Sequence, residues 1–191
     1  MAISAEQALE QLREGNRRFA EGRALHRFAG EERTSALGGQ EPFAVVVGCS
    51  DSRVPVEAVF DAGVGELFVV RTAGHVLAAA SLASVRFAVQ KLGAPAVVVL
   101  GHEDCGAVSA ALAGDAPDWL RPITEKIDVS QVDPANAPSD ADDLVLAAAV
   151  DDHVLDTVRA LIDFVGEFSP ETVVIGGAYK LASGRVHWLD S

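Results

Sequence analysis

The chain has 191 residues, 49% of them apolar and 6% aromatic, and a formal net charge of −13. That length suits one domain with a substantial core, and the apolar share excludes a disordered chain. The acidic balance disfavours nucleic acid and anionic membranes as partners. No apolar run approaches the roughly 20 residues that cross a bilayer. The N-terminus lacks the basic-then-apolar order of a secretory signal, so the protein is expected to be soluble and cytoplasmic.

Ser4 followed by Gln7 has the form of a capping box. Leu9, Leu12 and Phe19 then share one helical face, which predicts a first helix over Ala5–Glu21. Gly22–Gln40 is polar, basic and Gly-rich and reads as a surface loop. Four apolar runs of strand length follow: Phe43–Val47, Leu67–Val70, Ala96–Leu100 and Thr172–Ile175. Runs that are apolar on both faces suit a buried parallel sheet. Ala78–Leu92 carries helical spacing at Leu82, Val85, Val89 and Leu92. Gly114–Asp143 holds four prolines and seven aspartates, which predicts a short helix near Trp119–Lys126 and then a loop. Leu144–Phe168 returns to helix and stops before Pro170. Tyr179–Leu189, centred on Ser183-Gly184, reads as a hairpin.

Strands alternating with helices imply right-handed crossovers. The expected fold is α/β, a central mostly parallel β-sheet flanked by helices, as one domain over residues 1–191. Residues 1–40 form its N-terminal helix and arm, and 114–143 a variable loop insert.

Cys49 and Cys105 are the only cysteines. In a chain without an export signal, metal binding or catalysis is a better reading of the pair than a disulfide. Cys49 follows the first strand by two residues, His102 follows the third by two, and Cys105 opens a helix. Ligands of open parallel sheets gather at the carboxyl ends of the strands, so the topology brings these three residues to one edge. Two thiolates and an imidazole are a zinc set, and three protein ligands leave a fourth position open, as catalytic sites do. Asp51 and Arg53, two apart, can pair bidentately. Beside a metal, Asp51 either accepts a hydrogen bond from water or takes the fourth position itself. Away from one, the two are an ion pair at a helix start.

Cys49-Ser-Asp-Ser-Arg-Val-Pro55 and Gly101-His-Glu-Asp-Cys-Gly-Ala107 resemble the two signature motifs of the β-carbonic anhydrases. Asp61–Gly74 and Gly176–Val186 are similar to two further stretches of that family. The resemblance covers about residues 1–112 and 144–190 and implies zinc-dependent hydration of carbon dioxide to bicarbonate and a proton. It implies Cys49, His102 and Cys105 as zinc ligands and Asp51 with Arg53 as the dyad that orients the attacking water or gates the site. It implies Gln40 as a hydrogen-bond donor to substrate and Phe68 as an aromatic wall for carbon dioxide. It also implies a homodimer, or an assembly of dimers, with the active site at the subunit interface and the first helix packed on the partner. The chain departs from the family pattern at Thr72, at His75, and at Val46, where bicarbonate-regulated members carry Trp. That last difference weakens the case for their noncatalytic bicarbonate pocket, although Arg71 and Tyr179 have counterparts there.

His75 follows the second strand and is a candidate proton shuttle near the pocket. His26, His153 and His187 are expected in solvated or capping roles, and Trp119 and Trp188 in packing. Three other functions stay open: hydrolysis of carbon disulfide or carbonyl sulfide on the same fold, a noncatalytic zinc-binding protein, and a thiol redox protein.

Overall fold

In the computed structural model, residues 3–25, 30–131 and 142–189 are described. A five-stranded sheet organises them, in the order β2-β1-β3-β4-β5. β1 (Ala44–Cys49), β2 (Leu67–Thr72), β3 (Ala96–His102) and β4 (Val173–Tyr179) run parallel, and β5 (Val186–Leu189) returns antiparallel on β4. All seven residues of β3 are buried, which is why this strand shows no polar alternation. β4 and β5 form the expected hairpin, closed through Lys180 and Arg185.

The helices cover both faces. α1 (Ala5–Ala20) starts at the Ser4 capping box, where Ser4 and Gln7 exchange side-chain to backbone hydrogen bonds. It buries Ala8, Leu9 and Leu12 with Val54, Val56, Val59 and Phe60 against one face of the sheet. The 4-residue helix α3 (Val56–Val59) supplies part of that layer. Asn16 staples α1 to the hairpin: its Nδ2 donates to the Val59 and Gly184 carbonyls, and its Oδ1 accepts from Val186 N at 2.8 Å. The other face is covered by α4 (Ala79–Leu92) and α7 (Asp142–Gly166), through Val85, Ala88, Val89, Val154, Val158, Leu161 and Val165. α7 lies so close to β3 that a Cβ on Gly101 would stand 2.5 Å from Val154 Cγ2.

Several expectations need correction. Gly22–Gln40 is not all loop: α2 (Glu31–Ser35) and a 3-10 turn (Ala36–Gly38) form within it, although His26 lies outside the described residues. Cys49 and His102 are the last residues of β1 and β3, because the ladders with β2 and β4 continue through them. In the 114–143 insert the helix near Trp119 shortens to α6 (Arg121–Thr124), and residues 132–141 lie outside the described set. Trp119 is 78% exposed and does not pack, whereas Trp188 stacks near Phe60 and under Arg13. His153 is buried, not solvated. No described helix is long and apolar enough to cross a membrane.

Candidate metal centre

Three elements converge at the carboxyl edge of the sheet. β1 ends at Cys49, β3 ends at His102, and Cys105 is the N-cap of α5 (Gly106–Ala113). Their ligand atoms all lie within 4.8 Å of one another, and all three residues are buried. An apolar shell of Val76, Val108, Ile127, Val150 and Ala178 surrounds them.

Each donor is prepared for a cation. His102 is linked through Nδ1 to the Glu103 carbonyl at 2.7 Å, which makes Nε2 the lone-pair nitrogen. That Nε2 is buried with no hydrogen-bond partner, an orphaned acceptor facing the two sulfurs. Cys105 donates to the Cys49 sulfur; this bond lowers the pKa of Cys49 and raises that of Cys105. The Gly74 N–H also donates to Cys49 Sγ, at 3.3 Å. Two sulfurs and one imidazole nitrogen with an unsatisfied lone pair, all buried, fit zinc.

Asp51 stands at the rim. Arg53 grips it through Nε to Oδ1 at 3.0 Å and Nη2 to Oδ2 at 2.8 Å, and the Arg53 N–H adds a third bond to Oδ1 at 2.8 Å. Arg53 also donates to the Asp104 carbonyl, so the dyad ties the β1 loop to the loop that carries Cys105. The guanidinium pulls the Asp51 carboxyl down to about 2. Asp51 Oδ2 comes within 3.9 Å of His102 Nε2, yet the carboxylate is not among the clustered donors.

Two contributors escaped the sequence reading. Arg71, on β2, donates from Nε to the Cys49 carbonyl at 2.8 Å and from Nη2 to the Asp51 carbonyl at 2.6 Å, fixing the loop between ligand and dyad. His153, on α7, holds the Gly74 carbonyl at 2.8 Å. Neither contact follows from local pattern: Arg71 is expected only as a counterpart of a residue of the noncatalytic bicarbonate pocket, and His153 in a solvated or capping role.

The structure does not bring Gln40 or Phe68 to this centre. Gln40 is exposed in a groove with Ala36, Gly39, Val64 and Gly65, before the start of β1. Cys49 ends that strand, five residue steps or about 17 Å beyond Ala44. Phe68 pairs in register with Val45, four steps below the Cys49 level, and its ring centroid lies 6.2 Å from that of Phe87. His75 is close to the centre but 1% exposed, with both ring nitrogens unpartnered. Burial holds its pKa well below the ordinary histidine value, so it has no path for handing a proton to solvent.

Residues 44–186 match the family model described as carbonic anhydrase. A carbonic anhydrase of Mycolicibacterium smegmatis is 41% identical over 186 residues, covering 94% of this chain and 90% of that protein. Carbonic anhydrase 2 of Mycobacterium tuberculosis is 48% identical over 126 residues, 63% of this chain and 61% of that one. The crystal structure of the β-carbonic anhydrase CafA of Aspergillus fumigatus superposes with a TM-score of 0.74 at 26% identity, over 97% of this chain and 90% of that one. With the donor set at the strand ends and three quarters of its length matched, the chain belongs to the β-carbonic anhydrase family.

Proposed function

We propose that this protein hydrates carbon dioxide reversibly to bicarbonate and a proton, with zinc held by Cys49, His102 and Cys105. The observation that carries this reading is the buried three-donor cluster with the Asp51–Arg53 dyad at its rim. Zinc at such a site supplies a Lewis acid that makes hydroxide available from water near neutrality.

The chain's own residues do the rest. Asp51 stays ionised, because Arg53 satisfies both of its oxygens. It accepts a hydrogen bond from the attacking water and turns a lone pair of that water toward the substrate carbon. Arg53 keeps the carboxylate from swinging inward, where the positive charge would attract it. The reaction adds water across one carbon–oxygen bond of carbon dioxide and releases a proton to solvent.

Substrate contacts come from a second copy of the chain. Gln40 and Phe68 lie too far along β1 and β2 to serve their own centre, so a homodimer places them at the partner's. There Phe68 walls the nonpolar substrate and the Gln40 amide donates to the developing bicarbonate oxygen. α1 reaches toward the partner in this assembly, although it already buries Leu12 in its own core. The protein acts as one domain in the cytoplasm, where Cys49 and Cys105 remain free thiols for metal binding. A thiol redox role is less well supported, since it would give no task to the orphaned His102 Nε2 or to the dyad.

Stopped-flow carbon dioxide hydration on protein of measured zinc content tests the reading. The rate should scale with zinc, approaching one ion per chain. Zinc-replete protein that left carbon dioxide untouched and hydrolysed carbon disulfide or carbonyl sulfide would overturn the substrate assignment. Full activity without zinc would overturn the metal assignment.

A further inference from the structure

Behind the metal centre lie two buried histidines that the proposed reaction does not use. His153 is 3% exposed and donates Nε2–H to the Gly74 carbonyl at 2.8 Å. Its ring stacks on His75, with centroids 4.3 Å apart and 25° between the planes. Gly74 and His75 are both left-handed, at φ +62° and +45°. For a histidine that backbone is strained, and it persists only where the surroundings over-determine it. The Gly74 position has no space for a side chain: a Cβ there would stand 2.9 Å from Ala107 Cβ and 3.0 Å from Ile127 Cδ1. The purpose of this tight turn is visible at its other end, where the Gly74 N–H points at Cys49 Sγ from 3.3 Å.

We infer that His153 is a positioning residue for the Cys49 ligand, acting through Gly74, whose two flanking peptides face His153 and Cys49. α7 holds the Gly74 carbonyl, the stack on His75 locks the left-handed pair, and the amide is thereby aimed at the sulfur. An N–H···S bond disperses charge on a thiolate and so tunes both its affinity for a metal and the electron density it gives up. This inference rests on the zinc reading above. It goes further by assigning a role to a histidine 48 residues in sequence from Cys105, the nearest proposed ligand, whose local pattern suggests only a solvated or capping role.

Two variants and two metals test it. His153→Phe keeps a ring over His75 and removes the donor, whereas His153→Gln keeps an N–H donor and loses the ring. Zinc affinity is read by competition with a chromophoric chelator, and cobalt(II) loading gives the sulfur-to-metal charge-transfer band. His153→Phe should bind zinc about 10–100-fold more weakly and move the band to lower energy. His153→Gln should recover most of both. Folded His153→Phe protein with parental zinc affinity and an unshifted band would overturn the inference. So would equal losses of thermal stability in both variants with neither band shifted, the signature of packing alone. Should His153→Phe fail to fold, the parent loaded with an NMR-active cadmium isotope decides: a scalar coupling between the metal and the Gly74 amide proton is required, and its absence refutes the tether. A parent that binds no zinc, cobalt or cadmium would instead defeat the metal reading itself.

Discussion

Cys49 and Gln40 stand nine residues apart in sequence, yet the two ends of β1 differ in what one chain supplies. At the carboxyl end, Cys49, His102, Cys105 and the Asp51–Arg53 dyad come together from two separate segments, with the His102 Nε2 left for a cation. At the amino end, Gln40 lies exposed in a shallow groove and Phe68 packs beside Phe87, with no chemistry in reach. The first region is complete within a protomer, because parallel crossovers return every strand end to the same edge. Under the proposed function, the second contributes to catalysis only when another copy is present. Metal binding should therefore be a property of the single chain, and full turnover a property of the assembly.

The largest effect is expected from removing a donor. Cys49→Ala should lose zinc and fall to the uncatalysed background in stopped-flow hydration; retained zinc and activity would show that the carboxyl-edge cluster is not the centre. Next comes Arg53→Ala. The freed Asp51 carboxylate can then take the fourth position, so activity should drop at least about a hundredfold while elemental analysis still finds near one zinc per chain. Asp51→Ala should lose less. If both variants matched the parent, the dyad would be only a surface ion pair.

The contrast between the two ends sharpens with Gln40→Ala, where a loss of about tenfold in kcat/KM (about 1.4 kcal/mol) is expected without any change in zinc affinity. Mixing Gln40→Ala chains with Cys49→Ala chains should give more activity than the two apart, because each hybrid dimer joins an intact metal centre to an intact Gln40. Mixtures no better than the sum, or an active monomer by light scattering, would mean that one chain suffices.

The smallest effect concerns stability. His75 and His153 are buried, and burial lowers both pKa values, that of His75 furthest. The charged or titratable groups facing them are each other, His102 and Asp156, and only Asp156 favours charge. A depressed histidine stays neutral in the folded chain while the unfolded chain takes up a proton near pH 6.5. Its stabilising contribution is therefore complete above that pH and is lost as the pH falls below it. Moving from about pH 7.5 to about 5.5 should therefore destabilise the parent through His75. Denaturant unfolding of the parent and of His75→Leu across that range measures it. Parallel pH curves for the two proteins would show that His75 is not held neutral.

How much of this was legible in sequence divides along the same physical line. The strands announced themselves as Val-rich runs, α1 by its capping box, and the ligands by residue type and by their place after β1 and β3. These are local signals, each written within about ten residues and reinforced by parallel topology. The Asp51–Arg53 pair was readable for the same reason, since its partners are two apart. Tertiary structure alone decided the rest. The Arg53 side chain could have pointed away, and its hydrogen bond to the Asp104 carbonyl, 51 residues on, holds it where it grips Asp51. Trp119 looked like a packing residue and is exposed, while His153 looked solvated and is buried under the ligand turn. Arg71, Gly74 and His153 became supports for Cys49 through contacts spanning 22, 25 and 79 residues. Such contacts leave no periodicity and no spacing in the chain. They exist only because β1 and β2 pair in one register and because Gly101 lets α7 settle close enough on β3 to reach the turn below the metal.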